Sequence, residues 1–145
     1  MSEESGLAQS DPIYFAKVNK TIAQCMPPAD WLPRGFNYPN CFFEYITLDD
    51  AEFDINGVSS TISFFYKHEV IEWDAYLRKT GCHVLIPFGR MDDDLFCFDK
   101  KNSNKIYLVD LSEKPIQEHE LTQFKNFYEF INTIRASNGL QPEGQ

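Results

Sequence analysis

Long apolar runs are missing from this chain. Polar or charged residues break every stretch well short of the roughly 18 consecutive apolar residues that a spanning helix requires, so neither a transmembrane segment nor a membrane partner is expected. The opening MSEESGLAQSDP has no basic stretch followed by an apolar one, which argues against a signal peptide and for the cytoplasm as the expected location. Glycine is sparse, at seven residues. None stands in a GxxxxGK[ST], GxGxxG or GxSxG pattern, so phosphate-loop, dinucleotide and nucleophile-elbow chemistry find no motif. There are three histidines, in the pairs His68-Glu69, Cys82-His83 and His119-Glu120. None forms HExxH or a Cys/His zinc spacing, and each reads as a surface or turn residue. The four cysteines, at 25, 41, 82 and 97, include no CxxC and read as reduced, mostly packed thiols. No metal, no cofactor and no enzymatic activity are expected on these grounds. Basic charge is also short, with 13 Lys and Arg against 22 Asp and Glu, net -9. That balance argues against a nucleic-acid partner and suits either plain solubility or a basic protein partner.

Aromatic residues, by contrast, are plentiful: thirteen Phe, seven Tyr and two Trp in 145 residues. A chain of this length makes one domain and buries about 68–70% of its unfolded surface, enough to fold without a disulfide or metal. Residues 1–10 read as a flexible tail, 11–139 as the domain and 140–145 as a second flexible tail. Asp11-Pro12 suits a helix start, and Phe15, Val18, Ile22 and Cys25 or Met26 recur at helical spacing up to Pro27-Pro28. An aromatic loop with Trp31, Phe36 and Tyr38 follows, then a strand expected over Phe43–Leu48. Asn56-Gly57 is a hairpin signal joining Glu52–Ile55 to Ser60–Tyr66. A helix is expected over HEVIEWDAYLRKT, with acids early, bases late and Gly81 after it. The stretch His83–Asp110 carries three short apolar runs separated by polar turns, which is the pattern of consecutive antiparallel strands. A last helix is expected over about Thr122–Ser137, with Phe124, Phe127, Phe130 or Ile131, and Ile134 along one stripe. The fold class is therefore α+β: a mainly antiparallel mixed sheet of five to six strands, with helices packed on one side.

Two acidic clusters are the candidate binding residues. Asp92, Asp93 and Asp94 stand between two strands, where they form either a solvated turn or a knob that meets a cationic partner. Three adjacent Asp without the spaced ligands and glycine of a calcium loop do not wrap an ion. Asp49, Asp50, Glu52 and Asp54 surround the first hairpin. Like charges on one strand face cost a little stability, so they either protect an edge strand or await a basic partner. Trp31, Trp73, Tyr38 and Tyr76 serve as core-edge packing or as interface anchors. An RNA-stacking sheet would place such aromatics among Lys and Arg, whereas here they lie among acids.

The segment HVLIPFGRMDDDLFCFDKKNSNKIYLVDL, with QFKNFYEFINTI after it, resembles the SUKH superfamily of fungal cell-wall-synthesis regulators and bacterial toxin-immunity proteins. The similarity covers residues 83–135. It lies in the strand signatures Leu85–Gly89, Phe96–Asp99 and Lys105–Asp110, the acidic turn Asp92–Asp94, and the Phe127–Phe130 pattern of the last helix. Leu32-Pro33 matches the Leu-Pro that follows the first helix of that family. The turn departs from the family by lacking glycine. These motifs carry no catalytic residue, so the resemblance implies a binding domain. The expected function is an immunity protein that neutralises a cognate toxin, for example a nuclease, by direct association. The alternatives are a regulatory scaffold for an endogenous protein and a small hydrolase with a dispersed site.

Overall fold

The computed structural model describes residues 20–55 and 57–142. The proposed helix start at Asp11-Pro12, the stripe residues Phe15 and Val18, and Asn56 of the hairpin turn lie outside them. Among the described residues the chain forms short helices α1 (Ile22–Cys25) and α2 (Phe42–Tyr45), strands β1 (Ala51–Ile55) and β2 (Val58–Phe64), and helix α3 (Lys67–Lys79). Strands β3 (Leu85–Met91), β4 (Asp94–Asp99), β5 (Asn102–Asp110) and β6 (Glu118–Glu120) follow, and helix α4 (Phe127–Ser137) is last. The six strands make one sheet in sequence order, every neighbouring pair antiparallel. This is the α+β fold with an antiparallel sheet that the pattern of apolar runs predicts.

The placement of the helices differs from the one-sided expectation. Residues paired across antiparallel strands point to the same face. Phe96 and Phe98 of β4 share a face with Ile106 and Leu108 of β5, and this face meets α4. Ring centroids there lie 5.4 Å apart for Phe98–Phe127 and 5.3 Å for Phe96–Phe130. Leu95 and Cys97 point the other way, with Arg90 and Pro87. Helix α3 covers that side, its Trp73 ring 5.3 Å beneath the Arg90 guanidinium. The sequence carries the sign of this in β3 and β4, which are apolar without alternation and buried along nearly their whole length. A strand covered on both faces reads as a continuous apolar run, not an alternating one.

The α4 face holds the main aromatic cluster. Phe88 stacks on Phe98 with centroids 4.3 Å apart, and Phe42 meets Phe64, Phe98 and Phe127. Phe42 belongs to a helix, not to the strand expected over Phe43–Leu48. Phe42, Tyr45 and Ile46 are buried while Phe43 and Glu44 are exposed. That is a helical period, and it overrides the β propensity of the aromatics. The final helix starts at Phe127, later than expected, because Asn126 caps it: its side chain accepts from Glu129 N–H at 3.1 Å. Beyond its end, Leu140 N–H donates to Arg135 O at 2.8 Å and the Leu140 side chain packs on the core.

Both ends of the hairpin region have specific solutions. Gly57 has φ 79°, as an Asn-Gly turn requires. Between β3 and β4 no glycine is present, and Asp92 itself takes φ 55°, a left-handed conformation that Asp tolerates better than most residues. At Gly89 the need is space: a Cβ there would lie 3.0 Å from the Ser63 carbonyl oxygen of β2. The free edge of β1 is closed by the end of α4. Asp54 N–H donates to Ser137 Oγ at 2.8 Å, and Asn138 Nδ2 donates to Glu52 O at 3.1 Å. Side chains thus occupy the backbone groups that would otherwise invite another strand.

Candidate functional site

Helix α3 lies over β3 and β4, and among the described residues no helix lies over the same face of β1 and β2. Glu52 and Asp54 point to this face, paired with Thr61 and Ser59, and all four are exposed. The opposite residues Ala51, Phe53 and Ile62 are fully buried. The strict alternation on β1, buried then exposed, is the signature of a half-covered strand. A polar face carrying two carboxylates therefore stands beside the helix.

A groove of about 390 Å³ runs along the foot of this face, between β2, the end of β3 and the first turn of α3. Asp49 and Asp92, from the two separate acidic clusters, both line it. Ser63 Oγ donates to Asp49, and Ser60 Oγ donates to Asp92 Oδ2 at 2.9 Å. Glu69 lines it too, held by Tyr66 N–H, which donates to Glu69 Oε1 at 2.9 Å as part of the helix cap. Two cations share the groove. Lys20 is buried, with its ammonium donating to the carbonyls of Leu48 and Phe64 and lying 5.1 Å from the centre of the Tyr66 ring. Burial pushes its pKa below the ordinary lysine value, against the opposing pull of Asp49. Arg90 is clamped between the Trp73 ring and the turn: its Nε donates to Asp92 O at 2.6 Å, and its guanidinium lies 3.9 Å from the Asp93 carboxylate.

The remaining predicted residues lie at the margins. Asp50 is exposed with φ 59° at the entry to β1, and Asp93 is exposed at the tip of the turn. Asp94 stands apart from the groove. It opposes Asp110 across the β4–β5 ladder and is half-buried. Burial, then the charges of Asp110, Asp92 and Asp93, raises its pKa above the ordinary value of 3.8. Asp110 is lowered instead, because the Ser112 hydroxyl and N–H both donate to it. An acid whose pKa is raised by folding contributes stability that is fully present below 3.8 and lost as pH rises through its folded value. Asp94→Asn is therefore expected to raise the denaturation midpoint at about pH 7 and to leave it unchanged at about pH 3. Paired urea melts at the two pH values check this; a lower midpoint at neutral pH would contradict it.

Lys20, Arg90, Ser63 and Glu69 are groove residues that sequence patterns do not single out. A lysine or serine has no distinguishing neighbours until the sheet places it. The aromatics divide: Tyr38 is buried, whereas Trp31, Trp73 and Tyr76 are partly exposed at the core edge. All three histidines are exposed, and none lines the groove. The four cysteines are free and buried. Burial lifts the Cys82 thiol to about 11 and raises the Cys97 thiol well above its ordinary value, so neither offers a thiolate at neutral pH. Among the described residues no cluster of His, Cys, Asp and Glu is arranged to hold a metal ion, and no helix is long and apolar enough to cross a membrane. No family model, curated protein or solved structure matches this chain.

Proposed function

We propose that this chain is a non-catalytic protein-binding domain that holds a basic protein, and that it acts as an immunity protein neutralising a cognate toxin. The observation that carries the proposal is the face of β1 and β2 on which Glu52 and Asp54 stand exposed, together with the groove that Asp49 and Asp92 line. The net charge of -9 gives the whole surface the same sign. Complementary charge guides encounter and rejects wrong partners more than it adds affinity, which suits a protein that must find one target quickly. The strand signatures of β3 to β5 and the last helix, similar to those of the SUKH superfamily, support the immunity reading. Partly exposed Trp73 and Tyr76 at the core edge are the residue types that dominate binding energy in such interfaces.

The experiment is neutralisation. The chain is co-expressed with the protein encoded by the adjacent gene, and growth is followed together with calorimetric binding of the two purified proteins. Rescue of growth with a 1:1 complex is the expected result. Growth arrest that this chain does not relieve, with no heat of binding, would overturn the proposal.

A further inference from the structure

Independently of that reading, we infer that the cavity between residues 35–37 and the β4–β5 turn is a binding site for a small phosphate ligand. It lies at the opposite end of the strands from the acidic groove. Strand β4 runs from Asp94, beside the turn that holds Asp92, to Asp99, where the β4–β5 turn begins. The cavity volume is about 220 Å³, below the roughly 300–1,000 Å³ of sites that take drug-sized ligands. Residues 35–37 and 100–103 line it, and no carboxylate stands among them, in a chain of net charge -9.

Packing fixes both segments. Phe36 is buried, with its ring 5.1 Å from Tyr38 and 6.1 Å from Phe98. Gly35, at φ 83°, belongs to the turn in which Phe36 N–H donates to Pro33 O at 3.1 Å. On the hairpin, Lys100 N–H donates to Val84 O at 2.9 Å. Asp99 Oδ1 accepts from Lys101 N–H at 2.7 Å, so the adjacent carboxylate is bonded to the turn itself. The polar groups left at the cavity are donors. Among the described residues the side chains of Asn37, Lys101 and Ser103 make no hydrogen bond or ion pair within the chain. Asn102 Oδ1 accepts from Asn104 N–H at 3.0 Å, which leaves its Nδ2 donors over.

Positive charge is in surplus behind these groups. Asp74, buried on α3, meets two cations: Arg78 Nε at 2.8 Å and Lys100 Nζ at 3.8 Å. One carboxylate balances one of them. The Lys100 side chain is only 13% exposed, and burial pushes its pKa below the ordinary lysine value, against the pull of Asp74. An anion in the cavity lowers the cost of that buried charge. The complementary group therefore carries negative charge and several acceptors. A carboxylate has two oxygens in one plane, whereas a phosphate monoester presents three around a tetrahedral centre. The flexible ammonium of Lys101, with amide and hydroxyl donors beside it, matches the second shape.

The test needs no partner. The full chain, labelled with nitrogen-15, is titrated with sodium phosphate, methyl phosphate and sodium acetate, with chloride holding the ionic strength constant. Saturable shifts at the amides of Asn37, Lys101, Asn102 and Ser103 are expected with the two phosphates and not with acetate. Lys101→Gln, at an exposed turn position, is expected to weaken binding by about tenfold, and Lys101→Arg to retain it. Tighter binding of methyl phosphate than of free phosphate would assign the site to a phosphorylated small molecule, and the reverse to phosphate itself. Equal shifts with acetate, shifts centred elsewhere, a response that does not saturate, or unchanged affinity in Lys101→Gln would each overturn the proposal.

Discussion

Phe127→Ala is expected to lower the free energy of unfolding by about 3–5 kcal/mol. Phe127 is fully buried at the first turn of α4, and its ring lies within 6 Å of four others: Phe42 at 5.7 Å, Phe88 at 5.9 Å, Phe98 at 5.4 Å and Phe130 at 5.7 Å. Those neighbours come from α2, β3, β4 and α4 itself, so no single element can move in to fill the space. A cavity lined by rigid rings collapses poorly, which puts the cost in the upper part of the range. Domains of this size have total stabilities of roughly 5–15 kcal/mol, so the variant should sit near the edge of folding at physiological temperature. Urea unfolding checks the expectation through a lower midpoint at an unchanged slope. A loss below about 1 kcal/mol would show that this aromatic cluster does not anchor α4 to the sheet.

The strands were legible in the sequence because their causes are local. The turns at Gly57 and Asp92–Asp93 mark where the chain reverses, and the apolar runs of β3, β4 and β5 mark what is buried. Helix α3 was legible from its charge polarity and from Gly81, which has φ 99°. Four features were not. The helix expected to run up to Cys25 or Met26 is broken at Thr21, whose extended backbone caps a new four-residue helix, and Ile22 of the expected stripe is exposed. Helix α2 reads as a strand because Phe and Tyr favour strands, and only the tertiary environment of Phe42, Tyr45 and Ile46 decides otherwise. Strand β6 is three exposed residues, Glu118–Glu120, with no apolar pattern to announce it; it exists because β5 offers backbone partners. The two-sided covering of the sheet is encoded in uninterrupted apolar runs, a pattern that a buried helix segment also produces.

The candidate site was half legible. Both acidic clusters stand out by composition, but their meeting at one groove does not. It depends on the 42 residues between Asp49 and Asp92 folding so that β2 and β3 pair at Ser63–Arg90 and Phe64–Gly89. The separation of Asp94 from its neighbours is a matter of register. It enters the β4 ladder opposite Asp110, while Asp92 and Asp93 stay in the turn. An acidic triplet in the sequence therefore resolves into a groove residue, a tip residue and a cross-strand pair.

The other large effect concerns association. Steering by an acidic face raises on-rates above the roughly 10⁵–10⁶ M⁻¹s⁻¹ of an unsteered pair and makes them fall as salt screens the field. Glu52, Asp54 and Asp92 are exposed and their side chains support no core contact, so the Glu52→Gln, Asp54→Asn, Asp92→Asn variant should keep its fold. Dissociation depends more on desolvated anchors; in the proposed reading Trp73 and Tyr76 take that part, and the variant leaves them in place. The decisive measurement is stopped-flow association of wild type and this variant with the adjacent gene's product over a range of ionic strength. The account predicts a wild-type on-rate that falls steeply with salt, a variant at least about tenfold slower at low ionic strength with a flatter slope, and dissociation rates that differ little. Equal on-rates and equal salt slopes for the two proteins would contradict it.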